Sequence, residues 1–337
     1  MLDFNNANIA TTHFQPKYPP LNTAYPGLVC LTPRGNPSIP EVWAIPDFLT
    51  HSECDQLINA SSDCLVPSPV VGSVMVSSGE VVREEAKSVV ASSRTSLSCY
   101  LHRDDVPTIL SKVMRVLNPE SVLNHNNGLA DGGGDSISSS ILAASSSVTE
   151  SFPPQPPPIP IDSRNCELLQ VTRYQAGQFY AAHYDAFDVS TIAGQGFVSN
   201  GGQRTHTILI YLNDVPAVLG GGTTFKSGRL VPELLPDDMS VPMQVYPPFL
   251  MGGSVILGVG GAGLTLQPKK GMAVIFFPSH NVYDQHTGEK VEVKLDNLGL
   301  HEARPVLEGG IKYVSQIWVR SGKTYSGRES KRLETKI

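Results

Sequence analysis

The sequence predicts a mainly β protein of the α+β class, in which an antiparallel barrel or jelly roll is supported by helices. Two observations carry this prediction. Between about residues 166 and 320, short apolar and β-branched runs alternate with turn residues, and no helical pattern separates them. Helical periodicity is instead concentrated before residue 118. We therefore expect N-terminal helices packed against a C-terminal β core.

Two helices are predicted in the N-terminal region. The first follows the strand-like run "VWAIP" and begins after Thr50 or Ser52, with Cys54 and Leu57 on its apolar face. The second lies in "DDVPTILSKVMRVLN", where a proline stands in the first turn and apolar residues recur three and four positions apart. Each helix has one apolar face, so both are expected to cover the β core.

Three buried strands are predicted in the C-terminal half. The run "RTHTILIYLND" at 204–214 is apolar and β-branched, and it ends in an Asn-Asp turn. The run "GMAVIFFPS" at 271–279 is the second strand. The third is "IKYVSQIWVR" at 311–320, where strict alternation places Lys312 and Trp318 on the same face. No internal repeat is found, and the many short strands favour an antiparallel barrel or jelly roll.

Composition divides the chain into five regions. We expect a loosely ordered lead-in at 1–28, a helical and strand-forming support at 29–118, a Gly/Ser/Pro-rich linker or insertion at 119–165, the β core at 166–322 and a polar tail at 323–337. The proline run in the linker favours polyproline II, and its glycines and serines favour flexibility.

Charge and hydropathy restrict the kinds of partner. The net charge is −6 and 17% of residues are charged, so the chain has no general attraction to nucleic acid. We find no signal peptide, and the most apolar run, at 249–266, is too short and too rich in glycine to span a membrane. A cytoplasmic or nuclear location is therefore favoured over the secretory route. The five cysteines lack C-x-x-C spacing and are expected to be buried free thiols.

A candidate metal site begins at "AAHYDAFD", where His183 and Asp185 stand one residue apart. This spacing alone is weak, because such pairs arise by chance in a chain of this length. A β barrel brings distant strands together at one end, so a third ligand can come from far along the chain. The surroundings of the later histidines therefore decide between the candidates for that ligand.

His301 is the favoured third ligand, because a predicted strand with Lys312 follows it, whereas His280 and His286 lie in a charged stretch without a buried strand. Two imidazoles and one carboxylate on one face of an octahedral ion leave positions open for a chelating substrate and dioxygen, as in non-haem ferrous oxygenases. A fixed ammonium one co-substrate length away can pair with the far carboxylate of a keto-diacid.

Five motifs in order resemble those of the 2-oxoglutarate and iron dependent prolyl 4-hydroxylases. They are "LQVTRYQAGQFYAAHYDAF", "GGQRTHTILIYLNDV", "GGGTTF", "PKKGMAVIFF" and "LHEARPVLEGGIKYVSQIW". The resemblance covers roughly 160–320, and weaker matches in "IPDFLTHSECDQLI" and "SSRTSLSCYL" extend it to about residue 40. It implies a double-stranded β-helix (jelly roll) core with N-terminal helices packed on it, and an oxygenase domain over 166–322.

The resemblance also implies a role for each matching residue. It implies that His183, Asp185 and His301 are the iron ligands. It makes Lys312 the partner of the distal carboxylate of 2-oxoglutarate, together with Tyr174 and Thr224. Three further residues match positions that line the peptide groove: Tyr180, Arg204 and Trp318. The implied cofactors and co-substrates are Fe(2+), 2-oxoglutarate, dioxygen and L-ascorbate.

The implied reaction is the hydroxylation of peptidyl proline at C4, in a proline-containing protein or peptide. Dioxygen would supply one oxygen atom to the substrate hydroxyl and one to succinate, with release of carbon dioxide. A second interpretation keeps the cofactors but changes the acceptor to another residue or a small molecule. A third is a non-catalytic jelly-roll binding module, which the complete set of ligands disfavours.

Two departures from the family pattern affect these expectations. Lys312 stands eleven residues after His301 where ten are expected. Gly309 and Gly310 could accommodate the extra residue as a bulge, but otherwise the lysine would face the wrong side of its strand. The segments 226–267 and 278–300 are also longer than expected, and either could cover or reshape the groove.

Overall fold

The computed structural model describes residues 16–69, 93–118, 160–229, 255–257, 263–284 and 286–324. Numbered in chain order, the strands are β1 (Val29–Cys30), β2 (Val42–Ile45), β3 (Val66–Pro67), β4 (Leu97–Leu101), β5 (Leu169–Tyr174), β6 (Tyr180–His183), β7 (Arg204–Tyr211), β8 (Thr223–Phe225), β9 (Val255–Leu257), β10 (Leu264–Leu266), β11 (Ala273–Phe276), β12 (Ser279–Tyr283), β13 (Lys290–Leu295), β14 (His301–Ala303) and β15 (Lys312–Arg320). The helices are α1 (His51–Ser61), α2 (Pro107–Leu117) and α3 (Ile192–Ser199).

Two antiparallel sheets form the β core. The larger has the order β1-β2-β11-β7-β15-β5-β4-β3, the smaller has the order β6-β14-β8-β10-β9, and β12 and β13 form a separate hairpin. From β5 to β15 the chain repeatedly crosses between the two sheets: β5, β7, β11 and β15 belong to the larger one, and β6, β8, β10 and β14 to the smaller one. This alternation is that of a double-stranded β-helix, so the predicted jelly roll is confirmed.

The two predicted helices cover the outer face of the larger sheet. Thr50 is the N-cap of α1: its hydroxyl accepts a hydrogen bond from the Glu53 backbone N–H, and the Glu53 carboxylate accepts one from the Thr50 N–H. In α2 a proline occupies the first turn, as predicted. Lys112 of α2 lies 2.7 Å from the Glu53 carboxylate and links the two helices.

Strand alternation separates the interior into two apolar layers. In β7, Ile208 and Ile210 pack against the helices, whereas Leu209 and Tyr211 point between the two sheets. Full burial of such side chains stabilises the fold by about 1.5–3 kcal/mol each. A slip of one residue would exchange the two faces, so this burial fixes the register of the strands that carry the site.

Residues 16–28, expected in a loosely ordered lead-in, are packed against the core. Tyr18 is 7% exposed, and its ring stacks on Phe277 at a centroid distance of 4.5 Å. Leu21 belongs to the apolar layer beneath the helices. Residues 1–15 and 119–159, which include most of the predicted lead-in and linker, lie outside the described residues. The five-region division of the chain stays a prediction.

The prediction that all cysteines are free thiols is wrong. Cys64 and Cys99 form a disulfide, with their Cα atoms 5.4 Å apart. The pairing of β3 with β4 sets Val66 opposite Ser98, which brings the two cysteines together although 35 residues separate them. Such an approach depends on strand pairing and leaves no trace in cysteine spacing. The other three cysteines are free. Within the described ranges, no helix has both the length and the apolar character that crossing a bilayer requires.

Candidate metal centre

The structure brings His183, Asp185 and His301 together. His183 ends β6 and His301 begins β14, and the two residues are paired across the smaller sheet. Asp185 lies two residues after His183. Its Oδ1 is 3.6 Å from His183 Nε2, and its Oδ2 is 3.7 Å from His301 Nε2. One candidate ligand atom from each residue lies within 4.8 Å of the others. His280 and His286, the alternatives weighed from the sequence, are not part of this cluster.

Both imidazoles present the same nitrogen to the centre of the cluster. His183 Nδ1 lies 2.8 Å from the Ala181 carbonyl oxygen, and His301 Nδ1 lies 2.9 Å from that of Gly299. A carbonyl only accepts hydrogen bonds, so each Nδ1 carries the proton and each Nε2 keeps a free lone pair. Both Nε2 atoms are buried, without a hydrogen-bond partner among the residues described. These orphaned lone pairs fit a metal ion.

Electrostatics favours the ligating forms of His183 and Asp185. Burial, and then the neighbouring His301, lower the pKa of His183 to about 3, so this imidazole is neutral at physiological pH. Burial alone would raise the pKa of Asp185, but the two imidazoles and Arg204 hold it below its usual value. Thr207 Oγ1 also donates a 2.8 Å hydrogen bond to Asp185 Oδ2. Two neutral imidazoles and one carboxylate are the donor set of a non-haem ferrous centre.

Lys312 faces the interior between the two sheets despite the extra residue before it. The Gly310 N–H bonds the Leu307 carbonyl at 3.0 Å, and Gly309 has φ 79°, as the third position of a type II turn requires. Glycine adopts this φ without strain, so the turn accommodates the extra residue. The Lys312 side chain is consequently 1% exposed and aligned opposite Tyr174 of β5.

The Lys312 ammonium is buried without an acidic partner among the described residues. Its Nζ lies 3.4 Å from Thr223 Oγ1 and 5.4 and 5.6 Å from the ring centroids of Tyr174 and Tyr211. Burial lowers the pKa of Lys312 to about 7. An uncompensated buried cation is costly, so this end of the cavity is built to receive an anion.

The threonine beside Lys312 is Thr223, and not Thr224 as expected from the sequence. Successive residues of a strand face opposite sides, and Thr224 points away from the cavity. Its hydroxyl pairs with that of Thr265 at 2.8 Å. The two adjacent threonines of "GGGTTF" cannot be told apart by composition. Thr223 and Phe225 are alternate residues of β8 and so lie on the same face of the strand. Because Phe225 is buried between the sheets, this alternation is the signal that would have identified Thr223.

One cavity connects the lysine to the two histidines. Its walls are Tyr174, Tyr180, His183, Leu209, Thr223, His301, Ala303, Lys312, Val314 and Gln316. Lys312, Val314 and Gln316 are alternate residues of β15, so one face of that strand forms the floor between the cationic and metal-binding ends. Sequence reasoning did not assign a role to Gln316, Thr207 or Thr223. The alternation that places Gln316 on the face of Lys312 was visible in the sequence.

Of the three predicted groove residues, Tyr180 and Arg204 contact the metal-binding cluster, and Trp318 packs against Arg204. Tyr180 stacks on His183 at a centroid distance of 3.5 Å. The Arg204 guanidinium lies 4.0 Å from the Trp318 ring centroid, forms a 2.7 Å ion pair with Glu167, and donates to the Asp185 carbonyl oxygen at 3.0 Å. Trp318 is only 6% exposed beneath this contact. Their role in binding substrate stays a prediction.

Comparison with known proteins agrees with this geometry. The model of the 2OG-Fe(II) oxygenase superfamily matches residues 169–320, and its description contains both predicted cofactors. Probable prolyl 4-hydroxylase 3 of Arabidopsis thaliana is 27% identical over 284 residues, which is 84% of this chain and 70% of that protein. A putative prolyl 4-hydroxylase of Acanthamoeba polyphaga mimivirus is 28% identical over 165 residues, or 49% of this chain and 48% of that protein.

Among solved structures, this chain is similar to the viral collagen prolyl hydroxylase vCPH from Paramecium Bursaria Chlorella virus-1, in its 2OG complex. It is 21% identical, with a TM-score of 0.39, and the match covers 83% of this chain and 95% of that one. The predicted dependence on ferrous iron and 2-oxoglutarate is confirmed by the matching family. Residues 169–320 thus match the 2OG-Fe(II) oxygenase superfamily, and the prolyl 4-hydroxylases of Arabidopsis thaliana are similar to this chain over most of its length.

Proposed function

We propose that this protein is a 2-oxoglutarate-dependent dioxygenase that hydroxylates peptidyl proline at C4 and releases succinate and carbon dioxide. The observation that carries the proposal is the pairing of two sites in one cavity. A metal-binding cluster stands at one end, and Lys312, buried without an acidic partner among the described residues, stands at the other. A keto-diacid can chelate a metal with one end and pair with an ammonium at the other.

The residues of the cavity have separable tasks in this reaction. When bound, ferrous iron supplies the redox chemistry that links oxidation of 2-oxoglutarate to hydroxylation. His183, Asp185 and His301 would hold the metal, and a set of three protein ligands leaves coordination positions for the co-substrate. Lys312 and Thr223 orient the co-substrate. Apolar walls restrict water, which strengthens these polar contacts.

We assign different tasks to the three groove residues. Tyr180 is partly exposed and stacked on a metal ligand, so its ring can form one wall of a proline site. Arg204 already donates to Glu167 and to the Asp185 carbonyl, so it acts by fixing the ligand loop and the face of Trp318. A proline-containing peptide would therefore enter beside Tyr180.

Turnover assays with matched peptides test the proposed function. The protein with ferrous iron, ascorbate and 2-oxoglutarate is expected to release succinate faster with a proline-rich peptide than with its alanine analogue. Mass spectrometry should show a gain of about 16 Da on the proline, with the hydroxyl at C4. Succinate release stimulated only by acceptors without proline would overturn the substrate assignment. Absence of turnover with every acceptor would favour a binding module.

The affinity for 2-oxoglutarate is expected to fall as pH rises above about 7. Burial gives Lys312 a pKa of about 7 in the protein without co-substrate, so the lysine is charged below that pH and neutral above it. Because the distal carboxylate binds the ammonium, each binding event above pH 7 must take up a proton. The apparent KM should then rise by up to about tenfold per pH unit.

Steady-state kinetics between pH 6 and 8.5 would measure this dependence. The Lys312→Ala variant is the control. It should bind 2-oxoglutarate more weakly at every pH, and its apparent KM should not rise further above pH 7. An equal rise in both proteins would assign the pH dependence to another group.

A further inference from the structure

Residues 16–18, here called the N-terminal segment, run along the β12–β13 hairpin. The Asn281 N–H bonds the Lys17 carbonyl oxygen at 2.8 Å, and the Tyr283 hydroxyl donates to the Pro16 carbonyl oxygen at 3.0 Å. Tyr18 is anchored by its stacking on Phe277, the residue that follows β11. The hairpin belongs to the segment 278–300 that is longer than expected in the family. Segment and hairpin therefore form one packed unit just before His301.

The N-terminal segment holds one buried carboxylate, that of Asp296. The Tyr18 hydroxyl donates to Asp296 Oδ2 at 2.5 Å, and the Lys17 ammonium lies 2.9 Å from the same oxygen. The Asp296 side chain is 6% exposed. Burial and the Asp296 carboxylate raise the pKa of the Tyr18 hydroxyl, so it stays a donor throughout the physiological range. Without these two partners Oδ2 would be buried with neither a hydrogen-bond donor nor the Lys17 countercharge, at considerable cost.

Asp296 closes the short turn 296–299 that leads to the metal ligand. Its Oδ1 accepts the Leu298 N–H at 3.0 Å, its backbone carbonyl accepts the Gly299 N–H at 2.9 Å, and its own N–H bonds the Pro278 carbonyl oxygen at 2.9 Å. The turn thus has a fixed position relative to the end of β11. The carbonyl that accepts from His301 Nδ1 belongs to Gly299, the last residue of this turn.

That carbonyl decides how the His301 imidazole is presented. Phe276 and Phe225 pack around the ring at centroid distances of 4.7 and 5.8 Å and restrict its tilt. Only the hydrogen bond to Gly299 selects the nitrogen that keeps its proton, and hence the nitrogen that faces the cavity. A shift of the 296–299 turn would loosen this selection while leaving the aromatic packing in place.

We propose that Asp296 is a positioning residue for the metal centre, and that Lys17 and Tyr18 reach His301 through it. The inference rests on the proposed function, because it takes His301 as a metal ligand. The contacts follow one path, from the N-terminal segment to the Asp296 carboxylate, through the 296–299 turn to the Gly299 carbonyl, and then to His301 Nδ1. Metal affinity therefore depends on Tyr18, which contacts Asp296 although 278 positions separate the two residues in the sequence.

Two Tyr→Phe variants of this unit form a matched test. Tyr18→Phe removes the donor to Asp296 and keeps the ring that stacks on Phe277. Tyr283→Phe removes a hydroxyl bond to Pro16 and leaves Asp296 untouched. Binding of Mn(II) to the metal-free protein, followed by electron paramagnetic resonance, reports affinity without turnover. Loss of a partner bonded directly to a metal ligand typically lowers metal affinity by about 10–100-fold. Tyr18 reaches His301 only through Asp296 and the 296–299 turn, so we expect the lower end of that range, about tenfold, for Tyr18→Phe.

The expected pattern is weaker Mn(II) binding in Tyr18→Phe and in Asp296→Asn, with Tyr283→Phe within about twofold of the parent. Equal effects in the two tyrosine variants, or a lowered melting temperature in Tyr18→Phe with metal affinity intact, would make the contact merely structural and overturn the proposal. His301→Ala, measured in the same titration, separates the two levels. If His301→Ala binds Mn(II) as tightly as the parent, the assignment of His301 as a metal ligand fails. If His301→Ala loses Mn(II) affinity but Tyr18→Phe keeps it, His301 remains a ligand and only the positioning role fails.

Discussion

His301→Ala is expected to lose measurable hydroxylation together with its high-affinity metal site. The variant removes one of the three proposed ligand atoms and the imidazole that lies 3.7 Å from Asp185 Oδ2. Changing a mere outer partner of a ligand lowers metal affinity by about 10–100-fold, so removal of the ligand itself should cost more than about 100-fold. Mn(II) titration of the metal-free protein and succinate release under saturating 2-oxoglutarate measure the two losses.

His280→Ala is the matched control for this prediction. His280 was the rival ligand in the sequence, and it lies on β12, outside the cluster. Its replacement should leave metal affinity and turnover near those of the parent. If His280→Ala lost the metal and His301→Ala kept it, the metal centre would have to be placed elsewhere.

Lys312→Met is expected to bind 2-oxoglutarate far more weakly and yet to be at least as stable as the parent. A hydrogen bond to a charged group contributes about 1.5–3 kcal/mol, which corresponds to a rise in apparent KM of about 10–150-fold. In the protein without co-substrate, however, the ammonium is buried with no acidic partner in the described part of the chain. Methionine fills similar volume without that desolvation cost, so the melting temperature should stay the same or rise.

Opposite changes in binding and stability are the diagnostic outcome for Lys312. A variant that simply misfolded would lose both. Lys270→Met is the control, because Lys270 pairs with the exposed Asp55 at the surface and should affect neither quantity much. An unchanged KM for 2-oxoglutarate in Lys312→Met would show that the anion end of the cavity has been assigned to the wrong residue.

Local patterns predicted much of this fold. The alternation in 204–214 and 311–320 matched β7 and β15, because one face of each strand is buried against helices and the other between the sheets. Thr50 was one of two predicted caps for α1, and the capping box explains why the helix begins there. These features depend on residues within a few positions of one another, which a single sequence displays directly.

The site was predicted only as far as motifs identify residue types. The order of the family motifs selected His183, Asp185, His301 and Lys312. The structure groups the first three, and His183, His301 and Lys312 line one cavity. Motifs did not show that Thr223, and not Thr224, lies beside Lys312, because that placement depends on which face of the strand each threonine occupies. The Cys64–Cys99 disulfide was missed because it required the pairing of β3 with β4.

By itself, the sequence determined the strand and helix periodicity, the family motifs and the chemical identity of the proposed ligands. Only the tertiary structure decided which threonine reaches Lys312, which cysteines pair, and that Tyr18 contacts Asp296. The reason is that periodicity records which face of an element is buried, whereas contacts between distant segments arise when those faces pack. Such contacts have no fixed spacing along the chain, so a single sequence does not display them.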